Sequence, residues 1–205
     1  PAPANNNGSP ITGYRVESDG AGGQECPSTS CQISGLTNGN QYRFRVIATN
    51  AKGDSPASPW SEAVTPDEIP GAPGAPSATI GSGTLSVSWA PPSNNGSPID
   101  AYQLDVNGQV RDVSGGTTST PLTGLENGTL YTFRVRAHNK AGWGDWGGAG
   151  SETPATTPGA PSVSTPAVLE SDAGNQVSFS WSAGDTGGSP ITAQVLTPIR
   201  SGAPL

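Results

Sequence analysis

Leu85-Ser-Val-Ser-Trp89 and Leu125-Glu-Asn-Gly-Thr-Leu-Tyr131-Thr-Phe133-Arg-Val135-Arg-Ala137 decide how this chain folds. In both runs apolar and polar residues alternate, so every second side chain of an extended strand points into the same core. A large aromatic closes the first run, and another opens the alternating part of the second. From Thr84 to Thr156 the chain therefore reads as one complete seven-strand antiparallel β-sandwich. The sequence on either side reads as two incomplete copies of that unit.

Internal repetition supports the division. Gly8-Ser-Pro-Ile11, Gly96-Ser-Pro-Ile99 and Gly188-Ser-Pro-Ile191 recur at spacings of 88 and 92 residues. Around the second copy, strand A is expected near Ala75 to Ile80. Strand B follows over Thr84 to Ala90, with Leu85, Val87 and Trp89 inward. Strand C places Ile99, Tyr102, Leu104 and Val106 in the core. Asn107-Gly108 is a hairpin signal and turns the chain into C′ near Gln109 to Val113. Strand E falls near Thr118 to Leu122. Strand F runs from Leu130 to His138 with Tyr131, Phe133, Val135 and Ala137 inward, and G closes the unit before Thr153-Pro154.

The outer copies are cut at complementary places. Trp89 lies nine residues before Pro98, and nine residues before Pro10 is Pro1, so the first copy lacks A and B. The third keeps A and B, with Val177, Phe179 and Trp181 inward, has Gln194 where strand C expects Tyr, and shows no E, F or G before Leu205. The expected organisation is a partial module over 1–66 (C to G), a linker over 67–72, a complete module over 73–157 and a partial module over 158–205 (A to C). Half-sandwiches expose Phe44, Val46 and Trp181 and leave strand edges open. Either the chain is an excerpt of a longer array, the reading adopted here, or the tail of one copy completes the head of the next as a head-to-tail filament.

These motifs resemble the fibronectin type III domain. The resemblance rests on strand B ending in Trp89, Pro98-Ile99 with Tyr102 opening strand C, and Gly124-Leu125 leading through Tyr131, Phe133, Val135 and Ala137 to Asn139. It implies tandem immunoglobulin-like sandwiches. The six-residue steps Leu36 to Tyr42 and Leu125 to Tyr131 are similar to the tyrosine corner, whose hydroxyl bonds back to upstream backbone. Asn38-Gly39 and Asn127-Gly128 supply turn residues that tolerate positive φ. The wording of the repeats, rich in Asn-Gly and Ser-Pro-Ile, looks most like secreted or surface proteins of Gram-positive, actinobacterial-like organisms.

Composition narrows the function. Gly and Pro together make 50 of 205 residues and recur in register as turn punctuation. A net charge of −7, with nine basic residues, gives no footprint for nucleic acid or an anionic membrane. No apolar run approaches the ~20 residues of a spanning helix, so no membrane insertion is expected. The chain starts without Met or a signal peptide and reads as a mature or excerpted segment. Cys26 and Cys31 are expected to close a small disulfide loop in an oxidising compartment. A zinc site needs more ligands than these two and a distant His138. No metal or cofactor is expected.

Candidate chemistry is sparse. Gly184-Asp-Thr-Gly-Gly-Ser-Pro190 resembles the nucleophile segment of chymotrypsin-like proteases, but Thr186 has no base oriented by a third group, and the repeat puts it in the B–C loop. No catalytic residue is assigned. Lys52-Gly53-Asp54 sits after strand F, where animal fibronectin carries its integrin-binding Arg-Gly-Asp loop. That placement implies adhesion through Asp54, against the plain reading of an F–G loop. Trp143 and Trp146, with Arg134 and Arg136 outward on F, resemble the Trp-Ser-x-Trp-Ser box and arginine ladder of class I cytokine receptors, with Gly144 and Gly147 in the Ser places. This reads as a stacked cation–π ladder, or alternatively as an aromatic platform for sugar rings or a partner protein. Trp60 with Arg43 and Arg45 reads as a weaker copy. Asp105 is expected to form a surface ion pair of little net worth beside Arg134 or Arg136. Asn7, Asn95 and Asn127 fit the glycosylation acceptor pattern and are read as bare turn residues.

The expected function is a non-catalytic extracellular array, secreted or on the cell surface. Its short linkers Pro66-Asp-Glu-Ile-Pro70 and Pro154-Ala-Thr-Thr-Pro158 favour a semi-rigid rod. Its partners are neighbouring modules or copies of the same chain, and a carbohydrate or surface protein. The alternative is an accessory region of a secreted polysaccharide-degrading enzyme.

Overall fold

The structure is a computed structural model that describes residues 7–169, 176–197, 199–200 and 203–204. The expectations attached to Pro1 and Leu205 lie outside these residues. The fold is all-β, with antiparallel pairing throughout.

The first copy forms one sheet of β1 (Ile11–Ser18), β2 (Gln24–Cys26), β3 (Phe44–Asn50) and β4 (Gly53–Asp54), in the order β2-β1-β3-β4. These are strands C, C′, F and G. The expected strand E is missing among the described residues: between Cys26 and Phe44 there is one isolated bridge, Tyr42 with Val64. In the second copy the corresponding strand E pairs with strand B.

The second copy is complete. Its smaller sheet contains β5 (Ser77–Gly81), β6 (Thr84–Ser88) and β9 (Ser119–Thr123), in the order β5-β6-β9. Its larger sheet contains β7 (Ala101–Val106), β8 (Gln109–Ser114), β10 (Tyr131–Asn139), β11 (Gly142–Trp143) and β12 (Gly150–Glu152). Positive φ at Asn107 and Gly108 (49° and 85°) makes the tight hairpin between β7 and β8. Leu85, Val87, Trp89, Tyr102, Leu104, Val106, Leu122, Phe133, Val135 and Ala137 are buried as one core, with Tyr131 and Ile99 packed against it. Trp89 meets Tyr102 edge-on at 5.5 Å between ring centroids. The Tyr131 hydroxyl accepts a bond from the Glu126 N–H at 3.1 Å, and the Tyr42 hydroxyl accepts one from Thr37 at 2.9 Å. Each phenol thus ties the turn before strand F to the strand itself.

The third copy keeps an A–B ribbon: β13 (Ser162–Val163) on β16 (Trp181–Ser182), and β14 (Ala167–Leu169) on β15 (Gln176–Ser178). Two short strands, β17 (Ile199–Arg200) and β18 (Ala203–Pro204), pair with each other. The expected inward set is corrected here. Val177, Phe179 and Trp181 are 59%, 36% and 45% exposed, because no second sheet lies over the ribbon among the described residues. The Trp181 indole N–H instead donates to the Gln194 side-chain carbonyl, at the place where Trp89 meets Tyr102.

The last strand of the complete sandwich is held in an unusual way. Gly144 and Gly147 donate to the carbonyls of Ala137 and Val135, both at 2.8 Å, and Gly150 pairs with Phe133. Three residues of chain therefore run beside every two of β10. A Cβ on any of these glycines would collide with the carbonyl oxygens of Pro70, Pro73 and Pro76, which recur with the same period. Glycine is what lets the two backbones touch. In the first copy the corresponding positions are Ser55, Ser58 and Ser61. Their N–H groups donate to Ala48, Val46 and Phe44 carbonyls, and their hydroxyls accept from the N–H groups of the same three residues.

The copies are joined by backbone contacts. At the first joint Gly39 donates to Pro66 (2.9 Å), Glu68 to Asn95 (3.0 Å) and Gly71 to Ser93 (2.9 Å). Asp67 accepts from the Ser97 hydroxyl at 2.6 Å and pairs with Lys140 at 3.2 Å. The buried Asn139 amide donates to the carbonyls of Glu68 and Asn94, each at 2.8 Å.

Two outcomes are expected. Gly147→Ala should lower the urea unfolding stability of the chain by about 1–3 kcal/mol, the usual cost of overpacking. Gly148→Ala, whose Cβ would come no nearer to another residue than 3.4 Å, at the Ala75 methyl, should leave it within about 0.5 kcal/mol. The Ser97 hydroxyl, and after it Lys140, hold the Asp67 carboxyl below its ordinary value. A depressed folded pKa contributes stability above the unfolded pKa and loses it as pH falls through the folded one. Stability–pH curves of wild type and Asp67→Asn should therefore differ at neutral pH and converge on acidification, and parallel curves would contradict this.

Candidate functional site

On the outer face of β10, polar and aromatic side chains gather in order. Phe133, Val135 and Ala137 enter the core, so Thr132, Arg134, Arg136 and His138 face outward. Across the ladder, Arg134 lies opposite Asp105 and Arg136 opposite Gln103. The Arg134 Nε–H donates to Asp105 Oδ2 at 3.0 Å, and Arg136 Nε and Nη2 donate to Gln103 Oε1 at 2.9 and 2.6 Å. Gln103 in turn donates to Asp112 on β8 at 2.9 Å. Both guanidinium groups are thus held in place from the neighbouring strand.

Trp146 sits between Arg134 and Arg136, 4.8 and 4.7 Å from its ring centroid, and Trp143 lies 5.0 Å from Arg136. The stack does not end there. His138 meets Trp143 at 4.7 Å between centroids, and its Nδ1 pairs with Asp100 at 2.6 Å. The order along the face is thus Arg134, Trp146, Arg136, Trp143, His138. Its spacing follows from the backbone. Outward residues on β10 recur every two positions, whereas the glycine-bonded chain beside it advances three residues over the same length. Two indoles three apart therefore interleave with cations two apart.

His138 was missed by sequence reasoning. The available signal was its place two residues beyond Arg136 on an alternating strand. Asp105 needs correction: it is 7% exposed, not a surface acid. Its Oδ1 accepts the Gly108 N–H at 2.8 Å while its Oδ2 holds Arg134, so the hairpin turn covers it.

In the first copy Arg45 lies 4.7 Å over Trp60 and pairs with Glu17 at 2.7 Å. Arg43 instead uses its N–H to bond Asp19 at 2.8 Å. Asp54 stands at the place of Trp143, just before the first strand-bonded Ser. Its Oδ1 accepts from the Thr49 hydroxyl at 2.7 Å, and its Oδ2 pairs with Arg15 at 3.3 Å. Both oxygens are turned onto the chain's own sheet. Gly53 has φ 125°, and the Lys52 N–H donates to Asn50 at 2.8 Å, so Lys52-Gly53-Asp54 is a tight turn. Cys26 and Cys31 are disulfide-bonded.

The remaining candidates sit in turns and loops. Asn95 donates to Ile69 at 2.8 Å, and Asn127 accepts from Gly83 at 2.8 Å; Asn7, like Asn95, has positive φ. The hydroxyl of Thr186 accepts from Gly188, and His138 lies in another module, paired with Asp100. Among the described residues no group of His, Cys, Asp and Glu is placed to hold a metal, and no helix is long and apolar enough to cross a membrane.

A tandem β-sandwich whose aromatic and charged side chains are spent on one another is the class this geometry defines. The chain matches the Fibronectin type III domain over residues 1–64 and 71–152, and it belongs to that family. It is 33% identical to usherin of Rattus norvegicus over 133 residues, 64% of this chain and 2% of that protein. It is 32% identical to fibronectin type-III domain-containing protein 3A of Homo sapiens over 157 residues, 67% of this chain and 13% of that protein. It is 28% identical to protein sidekick-1 of Mus musculus over 221 residues, covering 96% and 10%. Among solved structures, chicken CNTN1 FN1-FN3 domains align with 24% identity and a TM-score of 0.36, covering 69% of this chain and 56% of that one. The chain thus spans a small part of the curated relatives named here. They are animal proteins and lend no support to a bacterial origin; what they share with this chain is the repeat.

Arg136→Ala removes two cation–π contacts at once and should lower stability by about 1–3 kcal/mol, with a shift in tryptophan emission. Arg136→Lys restores charge without the planar stack and should recover less than half of that loss in chemical denaturation.

Proposed function

We propose that the chain is a non-catalytic extracellular structural and adhesion-type array that spaces and presents surfaces along a semi-rigid rod. The modules span 1–66, 73–157 and 158–205, with 67–72 as the first linker. One observation carries the reading: Arg134 and Arg136 lie 4.8 and 4.7 Å from the Trp146 ring centroid, and Trp143 has Arg136 at 5.0 Å and the His138 ring at 4.7 Å, so the stack stiffens the sandwich edge. A sugar ring stacks on an open aromatic face, and here the chain's own guanidinium groups compete for the indoles. The disulfide supports an oxidising setting, and a net charge of −7 disfavours association with nucleic acid. Partners are neighbouring modules, copies of the same chain or a surface protein. Asp54 already holds Thr49 through one oxygen and Arg15 through the other, so adhesion through Lys52-Gly53-Asp54 would compete with these two contacts.

Affinity electrophoresis of the full chain in soluble polysaccharides provides the test. Unretarded migration of wild type, with an elongated envelope in small-angle scattering, is expected. Retardation abolished by Trp143→Ala or Trp146→Ala would instead establish the accessory region of a polysaccharide-degrading enzyme.

A further inference from the structure

The second joint is built from the same parts as the first. Gly128 donates to Pro154 at 2.9 Å as Gly39 does to Pro66; Thr156 donates to Gly187 at 2.8 Å as Glu68 does to Asn95; Gly159 donates to Asp185 at 2.7 Å as Gly71 does to Ser93. In each case the turn before strand F, with glycine at φ 85° or 83°, is pressed on a B–C loop glycine at φ 103° or 90°. A Cβ on Gly39 would lie 3.2 Å from the Gly96 Cα, and one on Gly128 would lie 3.2 Å from the Gly188 Cα. In the other direction, a Cβ on Gly96 would stand 2.5 Å from the Gly39 nitrogen and 2.8 Å from the Pro66 oxygen. A Cβ on Gly188 would collide with the Gly128 nitrogen.

We propose that the B–C loop of each module is a docking site for the Asn-Gly turn before strand F of the preceding module, a glycine-on-glycine seat that fixes their relative orientation. The partner it fits is a second sandwich of the same kind, recognised through its backbone: a positive-φ glycine whose N–H is already turned to the linker proline carbonyl. Two backbones in contact leave no flexible side chain to absorb a tilt, and the linker is bonded on both sides of the contact. The first joint carries side-chain contacts beyond this shared set, among them the Asn139 amide on Glu68 and Asn94. Asp67, Ser97 and Lys140 add a polar latch to the first, whereas Ala155 takes the place of Asp67 in the second.

This rests on reading the chain as a spacer, but it is separable from it, since a hinged string of modules also scatters as an elongated particle. Residual dipolar couplings of the full wild-type chain decide the matter. Amides of β1 and β3 and those of β7 and β10 are expected to fit one alignment tensor. Gly96→Ala should abolish the common tensor while the resonances of the second core stay in place. Gly108→Ala, with a similar positive φ (85°) but open space around its Cβ, should keep it. Separate tensors in the wild type, or a common tensor preserved in Gly96→Ala, would overturn the proposal. The wild-type measurement stands even if the variant does not fold.

Discussion

Phe133, Val135 and Ala137 face inward from β10, and Arg134, Arg136 and His138 face outward from the same nine-residue strand. Both halves of the architecture hang on that alternation. The inward set closes the core against Leu85, Val87 and Trp89 of the opposite sheet, where apolar burial supplies most of the stability. The outward set makes the cation–aromatic stack, whose contacts are individually small and act together. A one-residue slip of register would put guanidinium groups into the core and phenylalanine into water, so the strand has no near alternative.

Beside that strand, glycine decides where chain meets chain. Gly144, Gly147 and Gly150 admit the proline carbonyls of the segment running in front of them, and Gly96 and Gly188 admit the turn of the preceding module. These are close backbone approaches, and side-chain burial has little to do with them. The high glycine and proline content that would make an aperiodic chain disordered is thus spent on contacts in this one.

The two copies with an F strand use one scaffold in different ways. Where the second copy has Trp143 against His138, the first has Asp54 against Thr49. Where the second has glycines, the first has serines whose hydroxyls cap the strand. Belonging to the fibronectin type III family therefore fixes the sandwich but leaves the outer face open to variation. Function of such domains resides in those faces and not in the fold.

Much of this was legible in the chain itself. Alternation named the core residues, the Asn107-Gly108 pair named the hairpin, and the spacing of Leu125 and Tyr131 named the corner, because each depends on local geometry with a fixed period. The nearness of Trp143 and Trp146 to the arginines was also readable, since a strand's outward face follows from its inward one. Two things were decided by the assembled structure. Asp105 became buried because a hairpin turn folded over it, which no property of its own strand reveals. The joints formed because glycines about 60 residues apart (39 and 96, 128 and 188) met across space. Periodicity records what a residue does along its own element, while contacts between elements depend on where the rest of the chain has been placed.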